Sequence, residues 1–299
     1  MKVKDGITGL VVGDALGVPV EFTSKEVLDE NPVTGMMGNG TYSMPKGTWS
    51  DDSSMTLATM QSIVQKDGID YEDIMNEFSL FVHEDKYSQY HTFDYGNTTI
   101  NAIIKFDNGI DALKCGGAGE RDNGNGSLMR ILPMAFIPGI DYKSIENVSA
   151  LTHAHERSKI ACVLYIEIAR SMLSEKLEIS EHIERACEKI RKHYEGSDEL
   201  VHFKRIFEND LDEVESSGYV MKTLECVLNC LLTTSCYKDA VLKAVNLGED
   251  TDTTAAICGG LAGIYYGYDA IPIDWINTVD QIDKVLSLCE KYEEYCDTS

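Results

Sequence analysis

The chain has few devices for holding itself together outside its own core. Its nine cysteines are odd in number, scattered, and form no C-x-x-C pair. That argues against a disulfide framework or a cysteine zinc site and for reduced thiols. Only six prolines interrupt the 299 residues, and no Pro- or Ser-rich linker, low-complexity tract or repeat marks a domain boundary. Basic residues are scarce: 26 Lys and Arg stand against 50 Asp and Glu, a formal charge of −24. Nucleic acid is thereby excluded as the main partner, because its binders concentrate Lys and Arg on one surface. Long apolar runs are also missing. The most apolar, residues 255–266, falls short of the roughly 20 residues that a membrane span needs. The opening MKVKDGITGLVVGDALG lacks the apolar region and cleavage site of a secretory signal. The expectation is a cytoplasmic protein with no membrane contact.

What is present is helical periodicity. Apolar residues recur three and four apart, as in Leu57, Met60, Ile63 and Val64, or Met221, Leu224, Val227 and Leu231, while strand-like alternation is nearly absent. The pattern predicts an all-α fold, a single domain over residues 1–299 with about ten to fourteen helices at the usual helix length. Much of the acidic excess falls on stretches such as SEHIERACEKI, which read as solvated helix faces.

Two acidic stretches stand out. In GTWSDDSSM, residues 47–55, Asp51 and Asp52 are adjacent and follow Ser50. Ser50 is a good N-cap, and acids in a first helical turn are favoured by the positive end of the helix dipole, so capping alone is one reading. Far along the chain, NLGEDTDTTAAICGGLAGIYYG places Asp250, Asp252 and Thr253 at the opening of another apolar helix. If the two helix starts meet, four carboxylates and their neighbouring hydroxyls converge, and leaving them unpaired would be costly. Four negative charges match two divalent cations. An all-oxygen ligand set, with no Cys or His in either stretch, points to Mg²⁺ or Mn²⁺ rather than zinc. An EF-hand is excluded, since counting Asp250 as the first loop position puts Ala255 where glycine is needed and Leu261 where the bidentate Glu belongs. The small residues Ala255, Ala256, Gly259, Gly260, Ala262 and Gly263 weaken an isolated helix but admit close neighbours, so this helix is expected to be central and buried.

Other candidates are less specific. In GGAGERDNGNGSLMRILPMA, residues 116–135, Gly124 and Gly126 flank Asn125 before a helix expected from about Ser127. Such a loop suits backbone N–H groups aimed at a phosphate or ribose, or is merely flexible, and it matches no standard phosphate-loop pattern. Asp14 interrupts the stripe of Ile7, Leu10 and Val11, and a buried acid has either a task or a hydrogen-bonding partner. Glu21, in the Pro-containing GVPVEF, is either a solvated loop acid or one that moves with a ligand. His153 and His155 in LTHAHERS read as core or capping residues as readily as ligand contacts.

Taken in order, GLVVGDALGVPVEF, GTWSDDSSM, YGNTT, NGNGSLMR, THAHERS and GEDTDTTAAICGGLAG resemble the ADP-ribosylglycohydrolase family over nearly the whole chain. The resemblance implies an all-α orthogonal multi-helix bundle. It implies two divalent cations, Mg²⁺ or Mn²⁺, at Ser50, Asp51, Asp52, Asp250, Asp252 and Thr253. Asn123, Gly124, Asn125, Gly126 and Ser127 would wrap the ADP-ribose with His153 close by, and Glu21 would be the mobile acid near the cleaved bond. The implied reaction is hydrolysis of the glycosidic bond between ADP-ribose and a modified side chain, arginine before serine or O-acetyl linkages, with Glu21, Asp51 and Asp252 as catalytic residues and Glu21 or a metal-bound Asp as general base. The partner would be an ADP-ribosylated protein or a small ADP-ribosyl compound. Two other classes remain: a non-catalytic ADP-ribose-binding or immunity module, and a dinuclear phosphate-ester hydrolase, for which the chain lacks the H-D dipeptide and His ligands. Departures from the family pattern are Ser50 in place of Thr, Glu249 in place of Gly, and Glu156 in place of Pro.

Overall fold

The helical periodicity is realised throughout the computed structural model, which describes residues 2–298. The first helices are α1 (Val3–Gly17), α2 (Lys25–Glu30), α3 (Asp51–Lys66), α4 (Tyr71–Glu84) and α5 (Asn97–Asp107). After an irregular stretch come α6 (Tyr142–Ala150), α7 (Glu156–Ser174), α8 (Ile179–His193), α9 (Lys204–Phe207) and α10 (Val220–Leu232). The last are α11 (Tyr237–Val245), α12 (Thr251–Tyr266), α13 (Ile273–Thr278) and α14 (Ile282–Thr298). Among the described residues there are no strands, only isolated bridges. No helix among them is long and apolar enough to cross a membrane.

One expected helix does not form. From Glu120 to Phe136 the chain turns through three short 3₁₀ segments, Glu120–Asp122, Asn125–Ser127 and Leu132–Phe136. Glycine and asparagine are poor helix formers, and Pro133 cannot donate a backbone bond, so the apolar run after Ser127 stays irregular although it is buried.

The frame is set by α1 and α12, which pack along each other more extensively than any other pair of elements. Both are buried almost all round, as expected of a central helix. The reason is steric. Gly9, Gly13 and Gly17 recur every fourth residue on one face of α1, and a Cβ on Gly9 would lie 2.2 Å from the Gly259 carbonyl oxygen. At Gly13 it would lie 2.2 Å from the Ala255 carbonyl oxygen, and at Gly17 2.4 Å from the Cα of Asp252. The two backbones therefore touch, with no side chain between them. Two buried tyrosines donate to the same pair of helices, Tyr237 to the Gly9 carbonyl at 2.7 Å and Tyr165 to the Ile257 carbonyl at 3.0 Å. The small-residue helix is thus central, as its composition implies.

The start of α3 is fixed locally. Ser50 is its N-cap and accepts from the Asp52 amide, and the helix ends at Asp67 in the left-handed region. It packs against α1, α4, α12 and α14. Gly13→Ala is expected to push α1 off α12 and to lower stability in urea by about 1–3 kcal/mol or more. Gly35→Ala, whose added carbon meets nothing closer than 3.5 Å, should stay within about 0.5 kcal/mol.

Candidate active site

Because Gly17 lies against Asp252, the C-terminus of α1 delivers the loop that follows it to the N-terminus of α12. Thr251 Oγ1 donates to the Gly17 carbonyl at 2.8 Å. The next link is a backbone clasp in which the Phe22 amide donates to the Glu249 carbonyl at 2.7 Å and the Glu249 amide to the Thr23 carbonyl at 2.8 Å. Phe22 and Glu249 both take positive φ, 62° and 57°, at a cost of about 1–3 kcal/mol each for non-glycine residues. The clasp brings Glu21 beside Asp250. Glu21 is buried rather than a solvated loop acid, whereas Glu249 is exposed.

The N-terminus of α3 arrives from the other side. Asp14, on α1, accepts from the Ser50 amide at 2.9 Å and the Ser53 amide at 3.0 Å, and from the Ser53 hydroxyl. Its burial therefore serves a specific partner, the first turn of α3. Ser50 Oγ donates to Asp52 Oδ2 at 2.8 Å, and the Thr253 hydroxyl reaches the same oxygen across 3.4 Å. The two acidic helix starts meet at this point.

Their carboxylates form two overlapping groups. Asp14, Asp52 and Asp252 each place an oxygen within 4.8 Å of the others, and so do Glu21, Asp250 and Asp252. Asp252 belongs to both. Asp51 is buried beside them but belongs to neither. Three buried oxygens, Glu21 Oε2, Asp52 Oδ1 and Asp252 Oδ2, have no hydrogen-bond partner, in a setting where an unpaired charge is expensive. Burial is the main cause that pushes the carboxyls of Asp51, Asp52 and Asp252 well above the usual range, and neighbouring acids add to it. Burial also raises Asp14 to about 6, although its hydrogen bonds from α3 oppose the shift. Glu21 is pushed up to about 9 by burial and then by the Asp94 charge. The donor set is hard oxygen throughout, three of its buried oxygens have no partner, and each of the two groups could hold a divalent cation, with Asp252 common to both.

The glycine-rich loop closes a third side. Asn125 Nδ2 donates to Asp250 Oδ2 at 2.7 Å and to Thr223 Oγ1 at 3.0 Å, so the loop is tied directly to one carboxylate group. Gly124 and Gly126 lie against the His153 ring, and a Cβ on Gly126 would come within 2.8 Å of its Cε1. His153 is buried, and burial together with the Arg130 charge pushes its pKa down to about 3. Two members of the predicted loop face inward. Asn123 accepts from the Ser158 hydroxyl at 2.9 Å, and Ser127 accepts from Ser149 at 2.9 Å in the core. His155 is the N-cap of α7 and accepts from the Arg157 amide. Glu156 takes the first position of α7, where proline is also tolerated and an acid is favoured by the helix dipole.

Sequence reasoning missed Asp94 and Tyr42. The Tyr42 hydroxyl donates to Asp94 Oδ1 at 2.6 Å and also reaches Glu21. Each is a lone residue in a loop, with no spacing to betray it. The Gly9-Gly13-Gly17 spacing, by contrast, was readable. A further group of ligand-type side chains, Glu120, His155 and Glu199, already holds a cation, because Arg157 donates to Glu120 at 2.7 Å and to Glu199 at 2.8 Å.

Comparison with known proteins fits this geometry. The family profile described as ADP-ribosylglycohydrolase matches residues 1–299. The chain belongs to the ADP-ribosylglycohydrolase family. It is 31% identical over 295 residues to the ADP-ribosyl-[dinitrogen reductase] glycohydrolase of Rhodospirillum rubrum, covering 94% of each. It is 29% identical over 298 residues to the ADP-ribosylarginine hydrolase Tri1 of Serratia proteamaculans, covering 97% of this chain and 78% of that protein. A solved structure titled ADP-ribosylglycohydrolase-related protein complex superposes with a TM-score of 0.84 at 28% identity, covering 99% of this chain and 98% of that one. The all-α expectation is therefore met at the level of the family fold.

The raised carboxyls make a pH prediction for the metal-free protein. A folded state whose acids titrate above their ordinary values of 3.8 and 4.5 binds more protons than the unfolded chain, so its stability falls as pH rises. Denaturation midpoints should decline from about pH 4 through the Asp14 range near 6 to the Glu21 range near 9. Asp52→Asn should stabilise the chelated protein by about 1 kcal/mol or more by removing one buried like charge. Both effects should shrink when Mg²⁺ or Mn²⁺ is added.

Proposed function

We propose that this chain is a metal-dependent hydrolase that cleaves the glycosidic bond between ADP-ribose and a modified side chain, arginine first among the linkages, and so reverses ADP-ribosylation. The observation that carries this reading is the pair of carboxylate groups sharing Asp252, with three buried oxygens left without partners. The names of two relatives, a dinitrogen reductase glycohydrolase and an ADP-ribosylarginine hydrolase, support the substrate class.

On this reading Asp52, Asp250 and Asp252, with the hydroxyls of Ser50 and Thr253 beside them, hold the cations. Asp14 joins them, and Asp51 supplies charge close behind. Two divalent cations here would keep the acids ionised, hold the ribose hydroxyls and polarise a water molecule. Glu21 takes a proton from the water whose oxygen bonds to C1 of the distal ribose as the bond from C1 to the side-chain nitrogen breaks, and returns that proton to the departing nitrogen, so that arginine leaves as its guanidinium. Tyr42 and Asp94 lie against Glu21. The Asn123–Ser127 loop offers donors to the nucleotide, with Asn125 joining it to the carboxylates and His153 closing its floor.

Local attraction of this kind is needed, because a chain of charge −24 repels a diphosphate at long range. One core shared by helices from both ends supports a single domain over residues 1–299, and nine unpaired cysteines suit a reducing cytoplasm.

Incubation with ADP-ribosyl-arginine and with ADP-ribosylated protein, with and without Mg²⁺ or Mn²⁺, is expected to release ADP-ribose only with metal. Glu21→Gln should lower kcat by roughly 10²–10⁴-fold, the span of general acid–base catalysis. Undiminished release after Asp51→Ala combined with Asp252→Ala would overturn the mechanism. Tight ADP-ribose binding with no turnover on arginine, serine or O-acetyl linkages would make the chain a binding module instead.

A further inference from the structure

Arg130 heads the fully buried side chains by volume, yet its hydrogen bonds are few. Nη2 donates to the Val148 carbonyl at 3.2 Å and to Thr152 Oγ1 at 2.7 Å, while Nε and Nη1 have no partner. Its guanidinium lies 4.6 Å from the centre of the Phe78 ring, and no carboxylate among the described residues pairs with it. An unpaired buried cation is expensive to keep, so the bonds it does make carry weight.

A guanidinium can only donate. Thr152 Oγ1 therefore accepts from Arg130, and the proton of the hydroxyl is left for its other neighbour, His153 Nδ1, 2.8 Å away. Were Nδ1 protonated, two donors would converge on one oxygen and the hydroxyl proton would be stranded without an acceptor in the interior, which costs about 1–3 kcal/mol. Nδ1 is thus the acceptor, and the neutral ring carries its proton on Nε2. That edge of the ring faces the glycine-rich loop, since a Cβ on Gly124 would lie 3.4 Å from His153 Nε2.

We propose that Arg130, acting through Thr152, is a positioning residue that fixes His153 as the Nε2–H tautomer, so that the ring donates a hydrogen bond to a phosphate or hydroxyl oxygen held in the Asn123–Ser127 loop. His153 is then neither a base nor a cation. The ligand in this inference rests on the ADP-ribose reading of the loop; the tautomer does not.

Long-range ¹H–¹⁵N correlation spectra of the ligand-free full chain test the tautomer directly, because protonated and bare ring nitrogens resonate far apart. The His153 signals are assigned by their loss in His153→Asn. The expected result is a proton on Nε2 in the wild type and in Thr152→Ser. Thr152→Val, which keeps the shape and removes the hydroxyl, should shift the ring to Nδ1–H or a mixture. Calorimetry should find ADP-ribose affinity roughly tenfold weaker in Thr152→Val and recovered in Thr152→Ser. An Nδ1–H wild type overturns the proposal, as does a Thr152→Val protein with unchanged tautomer and affinity. Should Thr152→Val misfold, the wild-type spectrum alone decides the tautomer. An Nε2–H wild type that binds no ADP-ribose supports the positioning role and counts against the ligand.

Discussion

The direct contact between the backbones of α1 and α12 is the constraint on which the rest depends. Glycines at every fourth position of α1 remove the side chains that would hold the helices apart, at about 1 kcal/mol of helix propensity each relative to alanine. The return is registry. With Gly17 against the Cα of Asp252, the end of one helix and the start of the other are in direct backbone contact. Glu21 and Asp250 are then joined by the clasp between Phe22 and Glu249, and Asp14 is placed to cap α3 from one turn back along α1.

The carboxylate cluster runs against the stability of the fold that builds it. Burial and mutual repulsion both raise the cost of its charges, and the hydrogen bonds from Ser50, Ser53, Asn125 and Tyr42 satisfy only some of its oxygens. Elsewhere the acidic excess is solvated on exposed faces such as that of α8, where it costs little. Such local conflict inside an otherwise consistent sequence is what a functional site produces. The surrounding polar scaffold follows the same logic. Asn123 and Ser127 are engaged by the core, so the loop between them is held at both ends while Gly124 and Gly126 let it pass close over His153.

Much of the fold was legible because its causes are local. Apolar spacing within two or three turns identified the helices, Ser50 identified the start of α3, and the small residues of α12 identified it as the buried centre. The acidic pairs were legible for the same reason, each lying within a single turn. The stretch after Ser127 misled, because apolar periodicity there competes with Pro133 and with glycine and asparagine just upstream. Asp94 and Tyr42 carried no signal, since a single acid or tyrosine in a loop has no period to read.

The sequence by itself determined the class of the fold, the two acidic helix starts and the all-oxygen chemistry available between them, because propensity, capping and ligand type are properties of neighbouring residues. Only the tertiary structure decided that Asp252 is shared, that Asp14 completes one carboxylate group while Asp51 stands outside both, and that Glu21 is buried beside Asp94. Those outcomes depend on contacts between residues as far apart as Asp52 and Thr253, 201 positions along the chain. No local pattern encodes the distance between two helix ends; the packing of the glycine faces does.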